Sequence, residues 1–213
     1  MALFDEKTKD QLKQVLSQII NPINIHFWTQ DIECPTCQMN HQFLEEISSL
    51  TDKIKLFVHD FVKEKDLAQK HNIDKIPAIV VSDNKDSNFN IRFFGIPAGY
   101  EINSFISACL EVSGAQEKLS NEILKRIKSI DKKINIQVFV TLTCPYCPSA
   151  VATAHRLALE NPNITADMIE SSTFTPLAIK YNVTSVPKIV INDKIEFVGA
   201  QPINILLENI EKL

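Results

Sequence analysis

The pattern of apolar and polar positions runs through the chain once and then starts again. Apolar residues recur at helical spacing over residues 8–20, and a short β-branched and aromatic run at residues 23–28 is typical of a strand. Each half is predicted to follow the order α-β-α-β-α-β-β-α. In the first half the predicted helices span residues 8–20, 37–50, 65–71 and 101–112, and the predicted strands span residues 23–28, 53–58, 78–81 and 89–94. In the second half the predicted helices span residues 117–130, 147–160, 176–181 and 202–210, and the predicted strands span residues 134–140, 164–169, 188–191 and 195–198.

The two halves can be superimposed residue on residue, which indicates an internal duplication. At an offset of 110, Cys34 falls on Cys144 (144 − 34 = 110), whereas Gly95 falls on Gly199 at an offset of 104 (199 − 95 = 104). The first half therefore has extra residues in its hairpin turn, and insertions confined to loops are what two copies of one fold are expected to show. The superposition places the boundary between the two copies after residue 115, which predicts an N-terminal domain at 1–115 and a C-terminal domain at 116–213.

Each half carries one Cys-x-x-Cys motif, placed between a predicted strand and a predicted helix. The motifs are Cys34-Pro35-Thr36-Cys37 and Cys144-Pro145-Tyr146-Cys147. A proline follows the second cysteine by 40 residues in both halves, in Ile76-Pro77 (77 − 37 = 40) and Val186-Pro187 (187 − 147 = 40). One such motif is a weak signal, but two with a proline at the same offset indicate a duplicated dithiol/disulfide module.

The position of these cysteines favours thiol chemistry. A thiolate attacks a disulfide, and backbone N–H groups at the start of a helix favour that anion. Cys34 and Cys144 hold this position, so we expect their pKa to lie below the free value of about 8.5. Cys37 and Cys147 lie one helical turn later, where each can resolve a mixed disulfide.

The two prolines predict a substrate-binding surface. If their peptide bonds are cis, which is uncommon for X–Pro bonds in general, the rings of Pro77 and Pro187 can face the sulfurs and exclude a metal. Ile76 and Val186 would then offer their backbone to an extended substrate chain. The alternative is that each proline is trans and simply opens a strand.

A second alternative is a non-catalytic scaffold or a structural zinc site built from both cysteine pairs. Zinc ribbons usually bring such pairs from turns about 15–20 residues apart. Here 106 residues separate Cys37 from Cys144 (144 − 37 − 1 = 106), and each pair opens a helix. We therefore expect no metal at these cysteines.

Composition narrows the function class further. The chain of 213 residues has a formal net charge of −4 and a charged fraction of 23%, which argues against a nucleic-acid partner. No apolar stretch is long enough to span a membrane, and the first residues have no apolar signal region. We expect a cytoplasmic protein, where Cys-x-x-Cys is more often catalytic or metal-binding than structural. The fifth cysteine, Cys109, is predicted to be a buried helix residue.

With these motifs the chain resembles the protein disulfide oxidoreductases, or glutaredoxin-like proteins, of the thioredoxin superfamily. The most specific stretches are Phe93–Gly99, Val138–Pro148 and Ser185–Ile191. The resemblance implies two tandem thioredoxin-like (glutaredoxin-like) α/β folds, each with a mixed central β-sheet flanked by helices. It also implies a thiol–disulfide oxidoreductase with no bound cofactor, which acts on protein disulfides and is reduced by a flavin-containing thioredoxin reductase. An alternative is an electron-delivery module for one partner, such as a peroxiredoxin, because bacterial peroxiredoxin reductases have a similar N-terminal segment.

Two features depart from the family pattern. The first motif has threonine where tyrosine is expected, so only the second motif matches the glutaredoxin type. His26 occupies the place of a buried aspartate in thioredoxins and is a candidate acceptor for the proton of the resolving thiol, while Gln137 holds that place in the second half. The other histidines (His41, His59, His71 and His155) are expected to form no cluster.

Overall fold

The computed structural model of the chain describes residues 3–115 and 117–213. In the first half the helices are α1 (Glu6–Leu16), α2 (Cys37–Ser48), α3 (Lys65–Lys70) and α4 (Ile102–Val112), with a 3-10 turn at Gly99–Glu101, and the strands are β1 (Ile23–Thr29), β2 (Ile54–Asp60), β3 (Ala78–Asp83) and β4 (Ile91–Phe94). In the second half the helices are α5 (Asn121–Lys128), α6 (Cys147–Glu160), α7 (Thr175–Lys180) and α8 (Ile203–Ile210), and the strands are β5 (Ile134–Val140), β6 (Ile164–Glu170), β7 (Lys188–Ile191) and β8 (Ile195–Val198).

The eight strands form one mixed sheet in the order β2-β1-β3-β4-β6-β5-β7-β8. Each half contributes four strands with the same internal order, and β4 pairs with β6 in parallel to join them. The predicted fold class of two tandem α/β units with mixed sheets is confirmed, and the joint makes their sheets continuous.

Helices cover both faces of the sheet, as the alternation of side chains along a strand requires. Ile25 and Phe27 of β1 pack in the larger core, which α1, α2, α4, α5, α6 and α8 also enter. Trp28 points to the opposite face and packs in the smaller core with Ala68 of α3 and with residues of α7. The predicted helix position of Cys109 is confirmed, since it is fully buried in α4.

A buried ion pair ties the two halves together at the β4–β6 joint. Arg92 faces Asp167 across the strand pair, with its Nε 2.6 Å and its Nη2 3.1 Å from the two carboxylate oxygens. The remaining Nη1 donates to the backbone oxygen of Asn72, where α3 ends. A buried charge pair is stable only when its hydrogen bonds are made, and here every guanidinium nitrogen has an acceptor.

Two helix ends differ from the sequence prediction by four residues (20 − 16 = 4 and 121 − 117 = 4). The first helix ends at Leu16 rather than residue 20, because the chain there turns so that the Ile20 N–H donates to the Ser113 hydroxyl and the Asn21 N–H donates to the Ser113 backbone oxygen. The helix predicted from residue 117 begins only at Asn121, where the Ser120 hydroxyl accepts from the N–H of residue 123 and caps the helix.

The predicted domain boundary stays a prediction, because the second domain was placed to begin at residue 116, which lies outside the described residues. Over residues 3–115 and 117–213, no helix is both long and apolar enough to cross a membrane.

Candidate functional site

Each Cys-x-x-Cys motif occupies the start of a helix. Cys37 is the first residue of α2 and Cys147 is the first residue of α6, and each forms a disulfide with the cysteine three positions earlier. In both pairs the earlier cysteine is the more accessible one. Cys34 is half-buried against 4% exposure for Cys37, and Cys144 is 8% exposed against 0% for Cys147.

The backbone at these helix starts is available to the sulfurs. Within the described part of the chain, no side chain caps α2 or α6, unlike α1, where the Asp5 carboxylate accepts from the Thr8 N–H at 2.8 Å. Unpaired N–H groups and the positive end of the helix dipole stabilise a thiolate at this place. The low pKa expected of the first cysteine in each motif stays a prediction.

Both centres lie at the same edge of the sheet and on the same face. The parallel pairing of β4 with β6 gives β1 and β5 the same direction, and each centre follows the carboxyl end of one of these strands. Four strand spacings separate β1 from β5, which corresponds to about 19 Å. The two pairs are therefore too far apart to exchange disulfides directly or to share one zinc ion.

Both predicted proline bonds are cis, at Ile76-Pro77 and Val186-Pro187. In the second half the Sγ of Cys144 lies 3.8 Å from the backbone oxygen of Val186. The residue before the cis proline thus borders the more exposed sulfur of the second pair. The substrate-binding roles of Ile76, Pro77, Val186 and Pro187 remain predictions.

Glu101 is a candidate functional residue that the sequence prediction missed. Its side chain is fully buried, one carboxylate oxygen accepts from the Ser104 hydroxyl at 2.5 Å, and the other has no partner within the described residues. Burial raises the pKa of Glu101 to about 7, although the Ser104 hydrogen bond opposes the shift. A buried carboxyl with a near-neutral pKa is typical of acid–base groups. The corresponding residue in the second half is Ile205 (101 + 104 = 205), so sequence comparison of the halves gives no hint of this role.

The turn that carries Glu101 packs on the second centre. It contacts α6, and the Tyr100 N–H donates to the backbone oxygen of Leu142 at 2.9 Å. Gly99 has a φ of +59° and lies so close to Leu142 that a Cβ would overlap its carbonyl oxygen. Leu142 lies two residues before Cys144, so the first half of the chain supports the active loop of the second.

Three histidines form a cluster, and the expectation that they stand apart is wrong. His26 Nδ1 lies 3.0 Å from His59 Nε2, and the ring of His71 lies edge-on to His26 with 6.0 Å between centroids. The cause is the parallel register of β1 and β2, which places His26 and His59 on the same sheet face beneath α3. Burial lowers the pKa of His71 to about 4. Burial also lowers the pKa of His26, although the hydrogen bond to Asp86 acts in the opposite direction and raises it.

The cluster gives His26 partners other than a cysteine. Its Nε2 lies 3.0 Å from Asp86, and its Nδ1 is taken by His59, which in turn lies 2.9 Å from Glu64. His26 shares its sheet face with Trp28, whereas α2 packs with Phe27 on the opposite face. Since both ring nitrogens are engaged on the α3 side, the geometry does not support His26 as the acceptor for the proton of Cys37.

The two centres differ in the loop before the first cysteine. Asp31, Ile32 and Glu33 are all exposed in the first centre, and a hollow of about 520 Å³ opens beside Cys34. The matching residues in the second centre are uncharged, at 141–143 (31 + 110 = 141). Among the described residues no three or more His, Cys, Asp or Glu side chains are arranged to hold a metal ion.

Comparisons with known proteins agree with this architecture. The family model described as Thioredoxin matches residues 4–108, and the one described as Thioredoxin domain matches residues 134–212. Among curated proteins, the alkyl hydroperoxide reductase component AhpF of Staphylococcus aureus is 28% identical over 89% of this chain, and "NADH dehydrogenase" of Bacillus subtilis is 25% identical over 89%. The chain spans about a third of their length, 34% in both cases.

Two solved structures match nearly the whole chain. The alkylhydroperoxide reductase AhpF of Enterococcus faecalis superimposes with a TM-score of 0.91 at 29% identity and covers 97% of this chain and 99% of that chain. A protein disulfide oxidoreductase of Aeropyrum pernix superimposes with a TM-score of 0.89 at 27% identity and covers 97% of this chain and 92% of that chain.

Proposed function

Because the chain belongs to the thioredoxin superfamily and carries two thioredoxin-type units, we propose that it is a dithiol–disulfide exchange enzyme that acts on protein disulfides. The observation that carries the proposal is the pair of disulfides, each spanning the first turn of a helix with no side-chain cap. Two redox centres of this kind need no bound cofactor, since the cysteines themselves take up and release the electrons.

The reaction at the second centre follows from the accessibility of its cysteines. The Cys144 thiolate attacks one sulfur of a substrate disulfide and forms a mixed disulfide, and the other substrate sulfur leaves as a thiolate that takes up a proton. Cys147 then attacks Cys144, which restores the internal disulfide and releases the reduced substrate. Cys34 and Cys37 play the same two roles at the first centre.

The substrate chain is held beside the cis prolines. The backbone of Val186 borders the Cys144 sulfur and pairs with an extended substrate segment. Ile76 and Pro77 form the equivalent surface at the first centre. Backbone pairing of this kind is independent of side-chain identity, so one surface can serve many protein substrates.

The test is turnover of insulin disulfides with dithiothreitol, followed for the wild type, Cys34→Ser and Cys144→Ser. If both centres are active and independent, each variant keeps about half of the wild-type rate. If the rate is lost in Cys144→Ser and kept in Cys34→Ser, the second centre is the one that reacts with the substrate. A wild type that is no faster than dithiothreitol alone contradicts the proposal.

A second candidate function is electron delivery to one dedicated partner, such as a peroxiredoxin. The similarity to the alkylhydroperoxide reductase AhpF over 97% of this chain favours it. In that case a flavin-containing thioredoxin reductase in the cytoplasm donates the electrons. The discriminating assay combines this reductase, NADPH and the chain with either insulin or a peroxiredoxin plus hydroperoxide. NADPH consumption that depends on the chain with peroxiredoxin, but not with insulin, identifies the dedicated role.

A further inference from the structure

The two centres share their helix starts and cis prolines but not their electrostatic surroundings. The residue immediately before the first cysteine is Glu33 in one centre and Thr143 in the other. Two positions earlier, Asp31 stands where the second centre has Thr141. The first centre therefore carries two carboxylates on a loop where its duplicate carries none.

The carboxylate of Glu33 is not neutralised by its neighbours. Within residues 3–115 and 117–213, no cation or hydrogen-bond donor pairs with it, and its side chain is exposed. Lys63, the nearby cation, is held by Asp60 at 2.8 Å and is also attracted by Asp31. The charge of Asp31 is thus partly offset by a neighbouring cation, whereas the charge of Glu33 is not.

A negative charge beside the attacking cysteine works against its thiolate. A redox pair becomes a stronger oxidant when its reduced form is stabilised, and the positive end of the helix dipole provides such stabilisation in both centres. Glu33 opposes it in the first centre alone. We propose that the charge of Glu33 lowers the reduction potential of the Cys34–Cys37 pair below that of Cys144–Cys147. Electrons then pass from the first centre to the second.

The transfer is an ordinary dithiol–disulfide exchange and needs no further reactant. The Cys34/Cys37 dithiol is oxidised to a disulfide and the Cys144–Cys147 disulfide is reduced to a dithiol. Two electrons and two protons are transferred from the first pair to the second. Since the centres lie about 19 Å apart in one chain, the exchange takes place between two molecules. The inference rests on the proposed function, because it assumes that both pairs are redox-active.

The experiment mixes two single-centre proteins and lets them reach equilibrium at pH 8 and low salt. One chain keeps only the first centre (Cys144→Ser and Cys147→Ser), and the other keeps only the second (Cys34→Ser and Cys37→Ser). Alkylation followed by mass spectrometry gives the oxidised fraction of each. We expect the first centre to be mostly oxidised and the second mostly reduced.

Glu33→Gln in the first-centre chain removes the charge while keeping the size of a residue held at a φ of +59°. An exposed unit charge on the residue next to Cys34 changes the exchange equilibrium by roughly three- to tenfold, or about 15–30 mV, in the direction that leaves more first-centre dithiol. Asp31→Asn is expected to have a smaller effect because Lys63 already offsets that charge.

Thr143→Glu in the second-centre chain is the matched reversal and is expected to shift the equilibrium by a similar factor, with Thr143→Gln as its neutral control. Salt at about 1 M is expected to reduce all these differences, because it screens exposed charges. Equal potentials of the two centres, or an equilibrium that Glu33→Gln leaves unchanged, would overturn the inference. Failure of either pair to exchange at all would instead overturn the proposed function.

Discussion

Replacing Glu101 by glutamine is expected to make the protein more stable at alkaline pH and to change little at acid pH. Glu101 is fully buried, and its pKa rises from 4.5 to about 7 on folding. Each pKa unit corresponds to about 1.4 kcal/mol, so the folded protein loses about 3 kcal/mol of stability when this carboxyl ionises. The sign follows from proton binding: between pH 4.5 and 7 the folded state holds the proton that the unfolded state releases, so wild-type stability falls as the pH rises through this window.

Glutamine keeps the shape and the hydrogen bond to Ser104 but cannot ionise. The free energy of unfolding would be measured by urea denaturation of wild type and Glu101→Gln at pH 4.5, 6, 7 and 8.5, with both cysteine pairs oxidised. The variant is expected to gain up to about 3 kcal/mol relative to wild type between the two extremes. Glu122→Gln, at an exposed helix position, serves as the control and should show no such trend. A difference between Glu101→Gln and wild type that is the same at pH 4.5 and 8.5 would refute the buried, near-neutral carboxyl.

Three further changes test other parts of the structure. Gly99→Ala forces a side chain against the Leu142 carbonyl at a φ of +59° and is expected to lower the free energy of unfolding by about 1–3 kcal/mol. It is expected to slow insulin reduction in a Cys34→Ser background, where only the second centre is intact. In a Cys144→Ser background, where the first centre does the work, the rate should not change. Arg92→Met leaves the Asp167 carboxylate buried without its partner and is expected to lower the free energy of unfolding in urea by about 3–5 kcal/mol, whereas adding Asp167→Leu should recover part of that loss. Burial lowers the pKa of His155 to about 4, so wild type is expected to lose about 3 kcal/mol as the pH falls from 6.5 to 4; His155→Gln should lose less over the same range, and an identical acid loss in both proteins would contradict this assignment.

The repeated features of the chain could be predicted because each is encoded locally and twice. The strands at 134–140, 188–191 and 195–198 and the helix at 147–160 have the predicted bounds, since their apolar periodicity ends where their packing ends. The cis state of Pro77 and Pro187 was also predictable, because two prolines at one offset from two cysteine motifs are unlike prolines at chance positions.

The unpredicted features depend on contacts between distant segments. His26 and His59 look unrelated along the sequence and meet only because β1 pairs with β2 in one particular register. Glu101 lies at the start of a helix, where an acidic residue is common. Its burial could not be predicted, because its turn packs against α6 of the other half. The asymmetry of the two centres has the same origin, since the first half covers the loop of the second at Leu142 and the loop at Ile32 stays exposed.

The central claim is that the first cysteine of each motif, the more exposed of the pair, attacks the substrate and the second cysteine releases it. Trapping the mixed disulfide tests this most directly. A Cys147→Ser chain that also carries Cys34→Ser and Cys37→Ser would be incubated with an oxidised protein substrate, and disulfide-linked adducts would be identified by mass spectrometry without reductant. The account predicts a stable adduct through Cys144, and none when Cys144→Ser is combined with an intact Cys147. An adduct through Cys147, or no adduct in either chain, would contradict it.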